Sequence, residues 1–313
     1  MSKVIMVIGP TGTGKSTIVK PYLQQGYIRL NRDTRGGRTL DLLEPMIQIL
    51  QVGQNIILDN THLTPNKRIP FVSATKNFGA TIECQVMQTS AAEAQVNIVT
   101  RMIKMGINPM DLEVIKAHES PNVFSSSVHF THHKEFAEPT EAEGFDKITY
   151  IPFVRELPDY TNKAIILDYD GTLRISTGEK EYPLCPDDVQ LLAGRAEILK
   201  QYKANGYLLL GASNQSAVGK GLFTYEEACA CFDKTNKLLG VDIDYLFCPH
   251  KSGPIVCWCR KPMPGMGIIF VEKYKLDRNS VIMVGDQTSD KTFAQRCGFI
   301  FQSAEEFFGN SGK

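Results

Sequence analysis

Apolar positions in the first half of the chain alternate between short continuous runs and longer stretches with helical spacing. The short runs predict buried strands, and the longer stretches predict amphipathic helices. The predicted strands are Val4–Ile8, Tyr27–Leu30, Asn55–Asp59 and Thr81–Met87. The predicted helices are Ser16–Gln24, Leu40–Leu50, Asn66–Lys76 and Ala92–Met105. Such alternation predicts a parallel sheet that is covered by helices on both faces.

The same alternation restarts after a polar, proline-containing segment, Arg155–Asn162. The strands predicted beyond it are Lys163–Leu167, Tyr207–Leu210 and Ser280–Val284, and the helices are Val189–Asn205 and Glu226–Leu239. A length of 313 residues exceeds one typical core, so we expect a domain over 1–155, a linker over 156–162 and a domain over 163–313. The predicted fold class is α/β, with two doubly wound parallel-sheet domains.

Composition narrows the class of protein. The 34 basic and 34 acidic residues balance, which argues against indiscriminate coating of nucleic acid but not against binding of a strand end. No apolar run is long enough to span a membrane, and the apolar start of the chain is too short for a signal peptide. We therefore expect an intracellular, cytoplasmic protein whose eight cysteines are metal ligands or free thiols.

A glycine-rich segment, Gly9-Pro-Thr-Gly-Thr-Gly-Lys15-Ser16, follows the first predicted strand and opens the first predicted helix. This is the spacing of a P-loop, whose backbone N–H groups donate to the phosphates of a nucleotide. Lys15 adds a cation for the β and γ phosphates, and Ser16 adds a hydroxyl ligand for Mg²⁺. We therefore predict ATP and Mg²⁺ at Gly9, Thr11, Gly12, Thr13, Gly14, Lys15, Ser16 and Thr17.

The acceptor side of this site is predicted to centre on Asp33, which follows the second strand. A carboxylate there suits a general base that takes the proton of an attacking hydroxyl. The surrounding arginines, which favour an anionic acceptor over a merely solvated loop, are Arg29, Arg32, Arg35 and Arg38. Asp59 ends the third strand and is predicted to hold the attacking group or the water shell of Mg²⁺, although a helix N-cap gives a similar pattern. Arg101 is predicted to stabilise the transferring phosphate.

This half resembles the kinase domain of polynucleotide 5′-kinase/3′-phosphatases. The resemblance covers the P-loop, Asn31-Arg32-Asp33, Asp59-Asn60-Thr61 and the segment 139–145. It implies a P-loop kinase fold in which Asp33 activates the 5′-hydroxyl of DNA or RNA. It also implies that Arg32, Arg35 and Asp59 hold the acceptor strand and that Arg101 contacts the donor phosphates. Phage-type enzymes have a second lid arginine, whereas this chain has Met105 there, with Lys104 beside it.

The second half carries Asp168-Tyr-Asp170-Gly-Thr172 at the end of its first predicted strand. One carboxylate can attack phosphorus to form an aspartyl-phosphate, while the other protonates the leaving oxygen and then activates water. Magnesium would neutralise the charge of the carboxylates and the phosphate. Later in the chain come Ser213-Asn214, Lys261 and Asp286 with Asp290, which supply phosphate contacts, a cation and metal ligands.

This ordered set resembles the haloacid-dehalogenase phosphatase superfamily, with its HAD-like Rossmannoid fold. The resemblance implies that Asp168 is the nucleophile, Asp170 the acid and base, and Lys261 a catalytic cation. It implies Mg²⁺ ligation by Asp168, Asp170 and Asp286. The implied phosphate-binding residues are Thr172, Ser213, Asn214 and Arg260.

Three cysteines and one histidine cluster on a single stretch of this half. They are Cys248, His250, Cys257 and Cys259. Four nitrogen and sulfur ligands favour a closed, tetrahedral and therefore structural Zn²⁺ site, and coincidental cysteines are the alternative. We expect the zinc to fix the loop that delivers Arg260 and Lys261. This loop resembles that of the histidinol-phosphate and heptose-bisphosphate phosphatases.

Both resemblances together imply a bifunctional enzyme, a transferase and a hydrolase in one chain, that heals nucleic-acid ends. Its kinase would phosphorylate 5′-OH ends from ATP, and its phosphatase would remove 3′-phosphates. The products are the ends that a ligase acting downstream in DNA or RNA repair requires. The kinase-then-phosphatase order is that of the phage-type enzymes.

Two other functions are compatible with the same residues. One is a small-molecule kinase fused to a sugar- or histidinol-phosphate phosphatase. The other is an end-binding adaptor without either activity, which is disfavoured because the predicted catalytic side chains of both halves are all present. A cluster of histidines, His129, His132 and His133, receives no role from the sequence.

Overall fold

A computed structural model of the protein describes residues 2–309. Over these residues the chain forms two compact units. Among the described residues, one unit consists of 2–98 with Glu119–Glu156, and the other of Val99–His118 with 157–309. The break after Glu156 falls at the start of the predicted linker, 156–162, and the segment Val99–His118 groups with the second unit.

The first unit contains a five-stranded parallel sheet in the order β2-β3-β1-β4-β5. The strands are β1 (Lys3–Ile8), β2 (Ile28–Leu30), β3 (Ile56–Asp59), β4 (Thr81–Gln88) and β5 (Lys147–Pro152). In the centre of the sheet, Val4 of β1 lies opposite Ile56 of β3 and Ile82 of β4. Because the strands are parallel, the segments that follow β1, β2 and β3 leave the sheet at one edge, where open α/β sheets bind ligands.

The helices between residues 15 and 135 are α1 (Lys15–Gln24), α2 (Arg32–Arg35), α3 (Leu43–Gln51), α4 (Pro65–Asn77), α5 (Ala91–Lys104), α6 (Leu112–Ala117) and α7 (Ser126–Glu135). Single 3₁₀ turns occupy Thr39–Leu42 and Glu141–Glu143. Alternate residues of β1 serve the two faces of the sheet. Met6 joins the core under Met46 of α3 and Phe71 of α4, while Val7 joins the core under Val19 of α1. Both faces are therefore covered.

The second unit is built on another five-stranded parallel sheet, in the order β10-β9-β6-β11-β12. Its strands are β6 (Asn162–Leu167), β9 (Leu208–Asn214), β10 (Asp244–Cys248), β11 (Leu276–Gly285) and β12 (Ile300–Ser303), and a separate hairpin is formed by β7 (Arg174–Ser176) and β8 (Val189–Leu191). Its helices are α8 (Arg195–Ala204), α9 (Ser216–Gly219), α10 (Tyr225–Leu239), α11 (Gly265–Tyr274), α12 (Thr288–Cys297) and α13 (Ala304–Phe308), with a 3₁₀ turn over Pro186–Asp188. The predicted fold class, two parallel-sheet α/β domains, is confirmed.

The prediction of one helix over Val189–Asn205 is wrong in its first part. Residues Val189–Leu191 form β8, which pairs antiparallel with β7 so that Val189 lies opposite Ser176. Gly194 then adopts a left-handed conformation (φ 77°) and caps α8 at its N-terminus. A helix cannot continue through a left-handed residue, so the apolar spacing that spans Gly194 belongs to two different elements.

Within residues 2–309 no helix has both the length and the apolar composition that crossing a bilayer requires. Each of the eight cysteines is a free thiol. Six of them are buried, and three of the buried ones, Cys248, Cys257 and Cys259, recur in the site described below.

Candidate active sites

The P-loop joins β1 to α1, and its shape depends on glycine at particular positions. Gly12 (φ 81°) and Gly14 (φ 87°) adopt left-handed conformations that other residues rarely reach. A Cβ at Gly12 would also lie 2.5 Å from the carbonyl oxygen of Ala94. The loop is fixed from outside by Asn97, whose Nδ2 donates to the Gly12 carbonyl (2.8 Å). The backbone is thus held in the form that presents N–H groups to phosphate.

Lys15 is the first residue of α1, directly after this loop. Its Nζ donates to the carbonyl oxygens of Gly9 (2.9 Å) and Pro10 (2.7 Å). The ammonium group therefore lies against the loop, beside the positive N-terminal end of a ten-residue helix. This combination fits a nucleotide triphosphate with Mg²⁺, and ligation of that ion by the Ser16 hydroxyl stays a prediction.

Asp33 lies on α2, just past the carboxyl end of β2. Its side chain is 35% exposed and pairs with Arg32 at 3.2 Å. Asn31 caps α2 by accepting from the Thr34 N–H, and Asn60 Oδ1 accepts from the Arg32 N–H (2.9 Å). The segment that carries Asp33 is therefore anchored to the end of β3, and its carboxylate stays open to an incoming group. The role of Asp33 as a general base stays a prediction.

Asp59 is buried, and its charge has a partner. Arg29 Nε donates to Asp59 Oδ2 at 2.9 Å, and a second guanidinium nitrogen also contacts this oxygen. Asp59 is not a helix N-cap, because Thr64 occupies that position in α4. Arg29 is thus engaged by Asp59 rather than presented to an acceptor. The sequence analysis gave Arg29 and Asp59 separate roles and did not predict that they form an ion pair.

The remaining predicted kinase residues are either exposed or lie in a segment that belongs to the second unit. Arg35 is exposed at the end of α2, and Arg38 pairs with Asp41 (3.2 Å) while its side chain remains 88% exposed. Arg101 is half-buried on α5, in the segment Val99–His118 that belongs to the second unit. Their contacts to an acceptor or to donor phosphates stay predictions.

A fully buried ion pair next to this site was missed by the sequence analysis. Arg68 donates to both carboxylate oxygens of Glu143 (2.7 Å each) and to the carbonyls of His62 (3.1 Å) and Ala137 (2.9 Å). It thereby ties the segment after Asp59 to the chain around residue 140. His62 is completely buried, and burial lowers its pKa to about 3, so its ring is neutral.

In the second unit a buried lysine joins two buried carboxylates. Lys261 Nζ lies 2.8 Å from Asp168 Oδ1 and 2.7 Å from Asp290 Oδ1. Burial raises the pKa of Asp168, and the Lys261 ammonium group opposes that rise. Burial also acts to lower the pKa of Lys261, but the two carboxylates outweigh it, so the lysine stays charged. One cation thus holds the predicted nucleophile in place.

Asp170 is held by two side chains that the sequence analysis did not name. Arg174 Nε donates to Oδ1 (2.8 Å), and Gln215 Nε2 donates to Oδ2 (2.7 Å). The Arg174 guanidinium is itself buried 4.7 Å above the ring of Phe232. Both residues lie close in sequence to predicted site residues, which could have indicated a role: Arg174 is four residues beyond Asp170, and Gln215 directly follows Asn214. Asp170 is therefore oriented before any substrate arrives.

The metal-binding candidates are the carboxylates of Asp168, Asp286 and Asp290, whose ligand atoms lie within 4.8 Å of one another. Oxygen donors of this kind suit Mg²⁺. Gly171 makes room for them, because a Cβ there would lie 2.5 Å from Asp286 Oδ2. The Asp170 carboxylate lies outside this trio, and its predicted metal ligation stays untested.

The predicted phosphate-binding residues have partners of their own. Asn214 accepts from the Lys261 N–H (2.9 Å) and donates to the Lys261 carbonyl (3.0 Å), so its amide positions the lysine. Ser213 Oγ accepts from Gln215 (3.1 Å), and Thr172 Oγ1 lies 3.5 Å from Asp286. Arg260 reaches toward the His250 carbonyl at 3.5 Å. Phosphate binding by these side chains stays a prediction.

The four predicted zinc ligands converge. Cys248 Sγ lies 3.4 Å from His250 Nδ1 and 3.7 Å from Cys257 Sγ, and His250 Nδ1 lies 3.3 Å from Cys259 Sγ. Ligands about 2.0–2.3 Å from a tetrahedral zinc ion are separated from one another by roughly 3.3–3.8 Å. The donor set and its spacing therefore fit Zn²⁺, which when bound would crosslink the loop just before Lys261.

Removal of this metal is expected to abolish phosphatase activity and to change the fluorescence of Trp258. Trp258 is the single tryptophan of the chain, is fully buried, and stands between two of the ligands. Without zinc the loop loses its anchor, so we expect a red-shifted emission and a loss of about 100-fold or more in phosphate release, either in Cys259→Ser or after treatment with a chelator that is removed before the assay in excess Mg²⁺.

The matched control is Cys229→Ser, which changes a half-buried thiol outside the cluster. Elemental analysis should find one zinc per chain in the wild type and in Cys229→Ser, but not in Cys259→Ser. A wild-type protein that contains no zinc, or that keeps full phosphatase activity in chelator, would contradict the assignment.

Comparison with known proteins finds different families for the two halves of the chain. Residues 4–118 match the family of AAA domains, and residues 163–308 match the family described as polynucleotide kinase 3 phosphatase. The heptose-1,7-bisphosphate 7-phosphatase of Pasteurella multocida is 39% identical over 137 residues, which cover 41% of this chain and 73% of that protein. The probable heptose-1,7-bisphosphate 7-phosphatase of Thermoplasma volcanium is 33% identical over 147 residues, 45% of this chain and 97% of that protein.

Two solved structures are similar as well. The heptose-1,7-bisphosphate phosphatase of B. bronchiseptica, complexed with magnesium and phosphate, is 30% identical with a TM-score of 0.40, over 44% of this chain and 78% of that one. A chain of the Pnkp1/Rnl/Hen1 RNA repair complex is 18% identical with a TM-score of 0.33, over 96% of this chain and 95% of that one.

Proposed function

We propose a nucleic-acid end-healing function for this chain. The chain belongs to the HAD-like phosphatases related to the polynucleotide kinase 3 phosphatase family. A P-loop kinase domain precedes its phosphatase domain. Its kinase domain would transfer the γ-phosphate of ATP to 5′-OH ends. Its phosphatase domain would hydrolyse 3′-phosphate ends through an aspartyl-phosphate on Asp168. The observation that carries the proposal is the pairing, on one chain, of two phosphate sites with opposite chemistry.

An extended anionic acceptor is supported by the exposed surroundings of Asp33. The side chains of Arg32 and Arg38 are 48% and 88% exposed, and Arg35 is exposed beside them. A row of solvent-facing guanidinium groups suits the phosphodiester backbone of a strand better than it suits a neutral sugar. Asp33 would take the proton of the 5′-hydroxyl as that oxygen attacks the γ-phosphorus and ADP leaves.

The phosphatase chemistry follows from the geometry of Asp168 and Asp170. Asp168 would attack the 3′-phosphate, while Asp170, held by Arg174 and Gln215, would protonate the leaving 3′-oxygen and then activate water. Magnesium, when bound by Asp168 and Asp286, supplies positive charge to the phosphate oxygens. Between Asp170 and Ser213 the chain inserts only the short hairpin β7–β8 and α8, so a strand end can reach the site.

A second candidate function is favoured by the named relatives. The second half of this chain is 33–39% identical to heptose-bisphosphate phosphatases, which supports a sugar phosphate as the phosphatase substrate. The chain would then be a metabolic fusion of a small-molecule kinase with a sugar-phosphate phosphatase. The proposed location is the cytoplasm for either function, and the proposed downstream partner of the first is a ligase.

One oligonucleotide with a 5′-OH and a 3′-phosphate, prepared as DNA and as RNA, tests the proposal in the presence of ATP and Mg²⁺. We expect the wild type to modify both ends. Asp33→Ala is expected to slow 5′ phosphorylation by about 10²–10⁴-fold, because the general base is lost, and to leave 3′ dephosphorylation unchanged. Glu44→Ala, which removes an exposed acid on α3, is the matched control.

The same preparation should be given heptose-1,7-bisphosphate as an alternative phosphatase substrate. A larger kcat/KM for the 3′-phosphate end than for the sugar phosphate is the expected result. The reverse order, together with untouched 5′-OH ends, would establish the metabolic fusion instead.

A further inference from the structure

One face of α7 carries three histidines that neither proposed reaction uses. His129, His132 and His133 lie within one helical turn of each other. Gln95 Nε2 lies 3.3 Å from the fully buried His129 Nε2, and the rings of His129 and His133 are 4.3 Å apart. These contacts fix the rings of His129 and His133, so this pair is a built feature of the first unit rather than a set of solvated side chains.

Two ring nitrogens of the cluster need a ligand. His132 Nδ1 and His133 Nε2 are both buried and have no hydrogen-bond partner among residues 2–309. Buried polar atoms in proteins nearly always have a partner, so nitrogens that lack one within the chain are open to a ligand or an ordered water.

The charges around these nitrogens are mostly positive. The charge of Lys15 acts on both rings and lowers their pKa, and the charges of Lys67 and Arg32 do the same for His132. The cluster lies beside the P-loop, because Gln95, which contacts His129, follows Ala94, whose carbonyl oxygen would lie 2.5 Å from a Cβ at Gly12. The acidic group that faces His132 is Glu135, on the same helix, while His133 has His129 beside it. Burial lowers the pKa of both rings, and the Lys15 charge lowers it further, so they are neutral at pH 7. An anion placed among these groups would reverse that effect and favour imidazolium.

We propose that His132 and His133 bind the γ-phosphate of the donor nucleotide. The inference rests on the proposed kinase function. Lys15 is the cation shared by both rings, and it is the residue that a P-loop directs to the β and γ phosphates. A γ-phosphate in contact with Lys15 would accept hydrogen bonds from His132 Nδ1 and His133 Nε2. Its negative charge would favour the protonated, positively charged form of both rings. The histidines bind and orient the phosphoryl group and make no covalent bond to it.

Nucleotide binding to the full-length protein tests this inference. The variants are His132→Ala, His133→Ala and the double variant, with Thr131→Ala and Lys134→Ala as controls at exposed positions of the same helix. Calorimetry with ADP and with a non-hydrolysable ATP analogue separates the γ-phosphate from the rest of the nucleotide. We expect the double variant to bind the analogue about tenfold or more weakly and ADP within about twofold of the wild type.

A pH series provides a second measurement that a structural role would not move. From pH 8 to pH 6 the wild type should gain affinity for the analogue more steeply than the variant His132→Asn/His133→Asn, whose amides donate hydrogen bonds but do not titrate. Binding of ADP by each variant reports that the nucleotide site of the first unit is folded.

Equal losses for ADP and the analogue, or an effect confined to the KM of the oligonucleotide, would overturn the inference. If the variants lose binding of the analogue and keep binding of ADP while the wild type never phosphorylates a 5′-OH end, that result would retain this inference and overturn the polynucleotide assignment. The two ideas therefore fail separately.

Discussion

Asp168→Asn is expected to lower hydrolysis of 3′-phosphate ends by about 10⁴-fold or more. Asparagine has nearly the same shape as aspartate and fills the same buried site, but its amide cannot attack phosphorus or carry the aspartyl-phosphate. Because the kinase domain is untouched, ATP-dependent phosphorylation of 5′-OH ends by the same preparation should be unchanged. Single-turnover phosphate release measures the loss, and 5′-end labelling provides the internal standard.

Asp170→Asn separates the two carboxylates. It should lose most activity on a 3′-phosphate, whose alkoxide leaving group needs a proton, and far less on an aryl phosphate with a good leaving group. Asp187→Asn, at an exposed acid in the turn before β8, is the matched control and should resemble the wild type. Retention of more than about 1% of the wild-type rate by Asp168→Asn would rule out Asp168 as the nucleophile.

Lys261→Met is expected to abolish phosphatase activity and to lower the free energy of unfolding of the second unit by about 3–5 kcal/mol. The substitution keeps the volume of the side chain but leaves Asp168 and Asp290 facing each other, buried, without their common cation. Denaturant unfolding followed by the fluorescence of Trp258, which lies in the same unit, measures the change in stability.

A double variant distinguishes catalysis from stability. In Lys261→Met/Asp290→Asn one of the two charges is gone, so most of the lost stability should return while the phosphatase stays inactive. Lys273→Met is the control, because Lys273 pairs with Asp244 at the surface and its side chain is 55% exposed, so its loss should change stability by about 0–1 kcal/mol. Equal stability of the single and double variants would show that the buried charges are not the cause.

The fold class and both phosphate motifs were accessible from the sequence because each depends on neighbouring residues. A strand, a glycine turn and a helix start occupy one short stretch in the P-loop, and Asp168-Tyr-Asp170-Gly-Thr172 is likewise contiguous. The continuous apolar runs correctly indicated strands buried on both faces. The prediction over Val189–Asn205 was wrong because the spacing of apolar residues does not reveal that Gly194 is left-handed.

In contrast, the tertiary structure decided which side chains form ion pairs and hydrogen bonds with each other. Arg29 looked like one of four acceptor arginines, yet β2 and β3 lie side by side and place it against Asp59. Gln215 holds Asp170 because β6 and β9 are adjacent, which brings the segments after both strands to one edge, whereas Arg174 is a local partner four residues beyond Asp170.

The sequence by itself therefore determined which chemical groups this protein has: a P-loop with Lys15, the pair Asp168 and Asp170, and four soft metal ligands. Only the tertiary structure decided which of those groups share a proton, a charge or a hydrogen bond. The physical reason is that parallel strands are joined by long crossovers, so groups that meet at one sheet edge come from distant parts of the chain. Local patterns carry no information about such meetings. The spacing of His129, His132 and His133 was visible in the sequence, whereas their place beside the P-loop came from the contact of His129 with Gln95 on α5.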